Sequence, residues 1–174
     1  MQKQFEVFLS EEKIKSRVKE LATQINAQYK GQDLHVVAVL KGSFIFLADL
    51  VREIKVPITI DFIKASSYGA STHSSGEVKI DFDITQDIKD KNVLVVEDIV
   101  DSGLTMDTLL RLFSAREPRS LKLAALLYKP SRNVIKVPID YLCFEIEDRF
   151  VIGYGLDYNQ KFRELPYIGI YNES

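Results

Sequence analysis

The segment Val93–Thr105 (VLVVEDIVDSGLT) holds the residue types and the spacing best suited to chemistry. The carboxylates of Glu97, Asp98 and Asp101 follow an apolar run that predicts a buried strand. Small or hydroxyl residues come next, at the start of a predicted helix: Ser102, Gly103 and Thr105. Amides at a helix N-terminus bind phosphate, and neighbouring carboxylates suit a divalent cation, a sugar or a proton acceptor. This combination indicates a site for a phosphorylated sugar.

The same segment also has a purely structural interpretation. Acidic residues after a strand often form a solvated loop, in which Asp101 or Ser102 would cap the following helix. The segment alone is compatible with both interpretations, so the rest of the chain has to decide between them.

Composition excludes several classes of protein. The 174 residues are enough for one domain, and 46% hydrophobic with 28% charged residues is an ordinary globular mixture. A net charge of −2 disfavours a general nucleic-acid binder. One cysteine, no apolar run long enough for a signal peptide and none long enough to span a bilayer favour a cytoplasmic protein without membrane contact.

Two amphipathic helices are predicted in the first third of the chain. Ser10 is suited to cap the first helix, whose apolar stripe comprises Ile14, Val18, Leu21 and Ile25. Ser43 is suited to cap the second helix, whose apolar residues are Phe44, Leu47, Ala48 and Val51. The apolar, β-branched run Leu34–Leu40 between them predicts a strand that is covered on both faces.

Strands and helices alternate along the remaining chain. Apolar or alternating runs predict strands at 58–63, 78–84, 92–96, 121–127 and 140–146, with a helix over Thr105–Ala115. This order predicts a single α/β domain over residues 1–174 with a mainly parallel sheet, whose ligands bind beyond the carboxyl ends of the strands. Residues 65–77 (ASSYGASTHSSGE) offer little to bury and predict a mobile loop that is either functional or disordered.

VLVVEDIVDSGLT resembles the phosphoribosyl-diphosphate signature of the type I phosphoribosyltransferases, and further motifs match the hypoxanthine-guanine branch of that family. Leu40-Lys41-Gly42 falls at its pyrophosphate loop, Ser66-Ser67-Tyr68-Gly69 at its mobile catalytic loop and Lys129 at its purine-binding lysine. The segment Phe150–Arg163 falls at its C-terminal purine and metal segment. The resemblance implies the type I phosphoribosyltransferase fold: a mainly parallel twisted sheet flanked by helices, with a small hood and a mobile β-arm loop.

The reaction implied by this resemblance is a step of purine salvage. The 5-phosphoribosyl group of 5-phosphoribosyl 1-diphosphate is transferred to N9 of hypoxanthine, and of guanine, and pyrophosphate leaves. Mg²⁺ is the implied cofactor and the implied partners are small molecules, phosphoribosyl diphosphate and a 6-oxopurine. Family members are usually dimers or tetramers, so the resemblance also implies a homo-oligomer.

The resemblance assigns roles at the phosphate end of the site. Asp101 is the general base that takes the proton from purine N7. The residues that hold the 5-phosphate are Asp101, Ser102, Gly103, Leu104 and Thr105. The residues that contact pyrophosphate are Lys41, Gly42, Ser67, Tyr68 and Arg163. In the family, the Lys41-Gly42 bond is often a non-proline cis peptide bond, which the sequence cannot reveal.

At the purine end, the resemblance places the ammonium of Lys129 on the 6-oxo group. Phe150 stacks on the base, Val151 contributes backbone contacts and Asp157 completes the purine set. The metal-linked carboxylates are Glu97, Asp98 and Asp157.

Two other classes compete with the enzyme. A receiver domain is rejected, because its acidic strand opens the domain whereas here about half of the chain precedes NVLVVED. A non-catalytic nucleotide-binding regulator on the same fold is the remaining alternative. The presence of Asp101, Lys129 and Arg163 without a basic excess favours the enzyme.

Overall fold

A computed structural model describes residues 5–67 and 78–171, with Ser67 described by its backbone only. Its helices and strands in chain order are β1 (Phe5–Leu9), α1 (Glu11–Gln28), β2 (Leu34–Leu40), α2 (Phe44–Glu53), β3 (Ile58–Ser67), β4 (Val78–Phe82), β5 (Asn92–Val100), α3 (Leu104–Ser114), β6 (Ser120–Tyr128), β7 (Tyr141–Glu145), β8 (Val151–Ile152) and β9 (Ile168–Tyr171). A single 3₁₀ turn over Pro130–Arg132 follows β6.

The main sheet has six strands in the order β4-β3-β2-β5-β6-β7. Every neighbouring pair is parallel except β3 and β4. Helices α1 and α2 cover one face and α3 covers the other, so alternate residues of β2 and β5 enter two separate cores. Because the central strands are buried on both faces, they read as almost continuous apolar runs. The predicted α/β class with a mainly parallel sheet is confirmed.

A smaller antiparallel sheet, with the order β1-β9-β8, forms the hood that the resemblance implies. Phe5 pairs with Tyr171 and Val151 pairs with Ile170, so the two ends of the described chain are joined in this sheet. Sequence patterning did not predict β1 or β9, because each has only four or five residues.

The first predicted helix is confirmed, whereas the capping of the second is wrong. Ser10 Oγ accepts a hydrogen bond from the backbone amide of Lys13 at 3.3 Å. Ser43 instead donates its hydroxyl to the carbonyl of Val39 at 2.6 Å and makes no cap. Ser43 is fully buried and its own backbone is helical. Its Oγ therefore bonds to the carbonyl four residues earlier and points away from the next turn of the helix.

The apolar stripe predicted for α2 is partly wrong. Leu47 is buried as expected, but Phe44 and Ala48 are exposed. The buried residues are Phe46, Leu47 and Leu50, because this short helix is apolar on several sides and its contact with α1 selects the face.

Strand β5 is longer than predicted. It continues to Val100, so Glu97 and Asp98 lie within the strand and only Asp101 lies in the loop that follows. Strands β3 and β4 pair antiparallel from Lys64–Phe82 to Ser67–Val78 and form the base of the predicted β-arm. The centre of the predicted mobile loop, residues 68–77, lies outside the described residues. Among those described, no helix is long and apolar enough to cross a membrane.

Candidate active site

The candidate site lies where β2, β5 and β6 end at one edge of the main sheet. These three strands are adjacent and parallel, so their carboxyl ends meet at this edge. Lys41 directly follows β2, Asp101 follows β5 and Lys129 follows β6. The topology therefore brings a carboxylate between two lysines that are distant from it in sequence.

A small cavity of about 140 Å³ surrounds the start of α3. Its lining includes Glu97, Asp101, Ser102, Gly103 and Thr105. Gly103 has a left-handed backbone (φ +83°), and a Cβ on it would lie 2.0 Å from the carbonyl oxygen of Ile135. A side chain at this position would be strained, and the cavity lies at the first turn of the helix, where amides can bind a phosphate.

A larger cavity of about 540 Å³ adjoins the first and has the dimensions of a small-molecule site. Its lining comprises Asp98, Ile99, Asp101, Lys129, Arg132, Asp148, Phe150, Val151, Leu156 and Asp157. Asp101 lines both cavities. A ligand that occupied both cavities would therefore pass beside the Asp101 carboxylate.

The larger cavity offers a cation and an aromatic surface. Lys129 is only 8% exposed, and its Nζ lies 3.4 Å from Oδ1 of Asp148. Phe150 is 51% exposed and meets Tyr158 and Tyr171 edge-on, at ring-centroid distances of 5.8 and 6.0 Å. These neighbours hold a half-exposed ring at the wall of the larger cavity, where an aromatic surface suits a planar ligand.

Three segments approach one another closely beside these cavities. A Cβ on Gly42 would lie 1.5 Å from Oδ2 of Asp98, and a Cβ on Gly155 would lie 2.0 Å from the carbonyl oxygen of Gly42. The loop after β2 is thereby wedged between β5 and the segment that follows β8. The cis peptide bond in this loop joins Leu40 to Lys41, one bond earlier than the family expectation placed it.

Charged side chains meet at this crossing. Nη2 of Arg163 lies 2.8 Å from Oδ1 of Asp157, and Nη1 donates to the carbonyl of Gly155 at 2.7 Å. Lys41 Nζ and Arg163 Nη2 both donate to Oε1 of Gln160, at 3.2 and 3.3 Å. Two cations that share one neutral acceptor form a place for an anion with several oxygens.

The two carboxylates of β5 differ in their surroundings. Glu97 is buried, its Oε1 accepts the amide of Asp98 at 2.9 Å, and it faces the smaller cavity. Burial, reinforced by the nearby charge of Asp98, raises the pKa of Glu97 well above its ordinary value. Asp98 faces the larger cavity together with Asp157, and its Oδ1 accepts the amide of Ile99 at 2.7 Å.

Comparison with known proteins identifies the family. A model described as the phosphoribosyl transferase domain matches residues 6–159. The hypoxanthine phosphoribosyltransferase of Escherichia coli strain K12 is 49% identical over 166 residues, which cover 94% of this chain and 93% of that protein. The hypoxanthine-guanine phosphoribosyltransferase of Mycobacterium avium is 48% identical over 169 residues, covering 94% of this chain and 83% of that protein.

The fold agrees with a solved structure of the same kind. A crystal structure of a hypoxanthine-guanine phosphoribosyltransferase from Bacillus anthracis, with HEPES in its active site, gives a TM-score of 0.91 at 48% identity. The match covers 95% of this chain and 97% of that chain. The chain belongs to the phosphoribosyl transferase family. This membership confirms the family resemblance and the type I fold that were expected from the motifs.

The structure brings most of the residues predicted from the family into the two cavities or the crossing beside them. Leu104, the first residue of α3, lines neither cavity and its amide donates to Ser102 Oγ at 3.3 Å, so its predicted backbone contact with the phosphate stays a prediction. Tyr68 and the side chain of Ser67 lie outside what the structure describes, so their predicted pyrophosphate contacts stay predictions.

Sequence reasoning missed Arg132, Asp148 and Gln160. Nε of Arg132 lies 3.3 Å from Oδ1 of Asp101, and its Nη1 lies 3.7 Å from Oδ2 of Asp148. Each of these residues stands in a polar stretch without periodicity, where a charged side chain usually faces solvent. The available signals were the proximity of Arg132 to the recognised Lys129, three positions earlier, and the place of Gln160 within the recognised segment Phe150–Arg163.

The close approach at Gly42 leads to a test of the crossing. We expect Gly42→Ala to lower phosphoribosyl transfer about 100-fold or more, because a misplacement of about 1 Å near the reacting groups has an effect of that size. Steady-state kinetics of the folded variant would measure the loss.

Gly31→Ala is the matched control, since a Cβ there meets nothing within 4 Å. Its positive φ of 75° should cost roughly 1 kcal/mol of stability and leave activity unchanged. Wild-type activity in Gly42→Ala would contradict the importance of this contact.

Proposed function

We propose that this chain is a purine-salvage enzyme that transfers the 5-phosphoribosyl group of 5-phosphoribosyl 1-diphosphate to N9 of hypoxanthine and of guanine. The observation that carries the proposal is the position of Asp101, which lines both the phosphate-sized cavity and the larger cavity with Lys129 and Phe150. The names of the curated relatives support the same activity. They do not support the alternative of a non-catalytic regulator.

The proposed reaction breaks the bond between C1′ and the pyrophosphate oxygen and forms the bond between C1′ and N9. The 5-phosphate is held by residues Asp101, Ser102, Gly103, Leu104 and Thr105 at the start of α3. Lys41, Gly42 and Arg163 receive the pyrophosphate, and a guanidinium and an ammonium neutralise the charge that develops as it leaves. Ser67 and Tyr68 are proposed to join them.

Asp101 acts as the general base in this proposal. The proton on N7 of the purine passes to its carboxylate as N9 gains the ribose, which keeps the purine ring neutral. Its place between the cavities supports this role, because a base works only within hydrogen-bond reach of the proton that it removes.

Selection of a 6-oxopurine is assigned to Lys129. An ammonium has three donors and no acceptor, so it favours the 6-oxo group of hypoxanthine or guanine over the 6-amino group of adenine. Its burial strengthens this preference, because an unpaired polar group is costly in a site sheltered from water. Phe150 stacks on the base, and Val151 and Asp157 complete the pocket.

The carboxylates of the site fit a Mg²⁺ ion that takes many of its ligands from the substrate. Residues 5–67 and 78–171 contain no cluster of three or more metal-ligating side chains, so they offer no complete protein cage. Mg²⁺ typically keeps several waters and binds through one or two carboxylates and substrate phosphates. Asp98 and Asp157, which share a cavity, would hold it, with Glu97 behind Asp98. The bound ion would supply charge neutralisation for the pyrophosphate oxygens.

The proposed activity is tested with purified protein, phosphoribosyl diphosphate and each of hypoxanthine, guanine, xanthine and adenine, with and without Mg²⁺. Chromatography should detect metal-dependent formation of IMP and GMP and no AMP. Absence of product with every base, from protein shown to be folded, would overturn the proposal.

Substitution of the proposed base gives a second test. Asp101→Asn should lower kcat by roughly 100- to 10,000-fold, the usual contribution of a general base, while phosphoribosyl diphosphate still binds. Calorimetry and single-substrate kinetics would measure the two effects. Asp107→Asn, one turn into α3 and outside both cavities, is the matched control. Unchanged turnover in Asp101→Asn would exclude Asp101 as the base.

We also propose a cytoplasmic homo-oligomer, a dimer or a tetramer. Phe44 of α2, Ile60 of β3 and Phe82 of β4 are exposed, and large exposed apolar side chains support an interface between copies of the chain. Light scattering coupled to size-exclusion chromatography should give two or four times the chain mass of 19.9 kDa. The mass of a single chain at assay concentration would contradict this proposal.

A further inference from the structure

The segment from Lys129 to Ile135, here called the clamp segment, lies against the loop that carries Asp101. Its backbone amides at Val134 and Ile135 donate to the carbonyl of Ser102 at 2.8 and 3.0 Å, and the amide of Lys129 donates to Val100 at 3.0 Å. These contacts attach the clamp segment to both sides of Asp101. Its side chains are thereby held at fixed positions relative to the proposed base.

Arg132 of the clamp segment contacts the Asp101 carboxylate directly. Its Nε lies 3.3 Å from Oδ1 of Asp101, while its Nη1 lies 3.7 Å from Oδ2 of Asp148. Asp148 in turn lies 3.4 Å from Nζ of Lys129. Charges of alternating sign thus connect Lys129, which is proposed to bind the 6-oxo group, with Asp101, which is proposed to take the N7 proton.

The exposure of these groups indicates what the contact does. Arg132 and Asp101 have side-chain exposures of 56% and 41%, and ion pairs that are this open to water add little to folding stability. The remaining effect of the contact is to orient the Asp101 carboxylate. A carboxylate is free to rotate about its last side-chain bond, and a guanidinium fixed at Oδ1 leaves Oδ2 to accept a proton from a ligand in the larger cavity.

We propose that Arg132 is a positioning residue for Asp101, an inference that rests on the proposed function. Arg132 holds the carboxylate in the orientation that accepts the N7 proton, and Asp148 holds the guanidinium in place. In this role Arg132 acts on the Asp101 carboxylate and not on the pyrophosphate or the ribose. Its loss therefore affects the step in which the proton moves more than the binding of either substrate.

The first test compares Arg132→Gln and Arg132→Lys with the wild-type enzyme. Arg132→Gln should lower kcat about 10- to 100-fold, part of the full effect of a general base, with KM for both substrates within about threefold of wild type. Arg132→Lys restores a cation and should recover part of the lost kcat. Arg111→Gln, which removes an exposed arginine paired with Asp107 on α3, is the matched control and should behave as wild type.

The second test repeats the Arg132→Gln substitution in an Asp101→Asn background. Because Arg132 acts through Asp101, the substitution should then lower the remaining rate by less than about twofold. An equal loss in both backgrounds would overturn the proposal. So would an increase in KM for phosphoribosyl diphosphate at unchanged kcat, which would indicate direct substrate binding by Arg132.

The outcomes separate this inference from the proposed function. Failure of the wild-type protein to form nucleotide overturns the proposed function, whereas wild-type turnover with an unchanged kcat in Arg132→Gln overturns the role of Arg132 alone. If Arg132→Gln does not fold, judged by circular dichroism, the kcat of Arg132→Lys decides. If the Asp101→Asn protein is too slow to measure, the separate effects of Arg132→Gln on kcat and on KM decide.

Discussion

Burial of β5 between β2 and β6 is the constraint on which the site depends. The strand is hydrogen-bonded to a parallel neighbour on each side and is apolar until its carboxyl end, where Glu97 and Asp98 stand. The observed register is favoured because a shift along the strand would move Asp98 and Asp101, which are only partly buried, toward its apolar centre at a high cost in desolvation. The position of Asp101, directly beyond the strand, follows from that register.

The residues around β5 are held by backbone contacts that leave no room for side chains. Gly42 lies against Asp98, Gly155 lies against Gly42, and Gly103 lies against the carbonyl of Ile135. Each contact fixes a loop that bears functional groups relative to the strand. Cations and carboxylates therefore face one another in the site, as in the pairs between Arg163 and Asp157 and between Arg132 and Asp101.

Sequence patterns predicted the elements whose periodicity is strong and the site residues that belong to contiguous motifs. Helix α1 and strand β2 were predicted well because one has a long apolar stripe and the other a continuous apolar run. The stripe of α2 and the end of β5 were predicted less well, since tertiary contacts select the face of a short apolar helix and extend a strand through its acidic residues. Arg132 was missed because its partner Asp101 is 31 positions away, and only the fold brings the two together.

The central claim is that a ribose 5-phosphate and a 6-oxopurine meet at the Asp101 carboxylate. The most direct measurement is a crystal structure with phosphoribosyl diphosphate, Mg²⁺ and a hypoxanthine analogue that has carbon in place of N9 and forms no product. We expect one Asp101 oxygen at about 3 Å from N7, as a hydrogen bond requires, with Lys129 at the 6-oxo group and the 5-phosphate at the start of α3. A purine bound with N7 away from Asp101, or a phosphate bound elsewhere, would contradict the account.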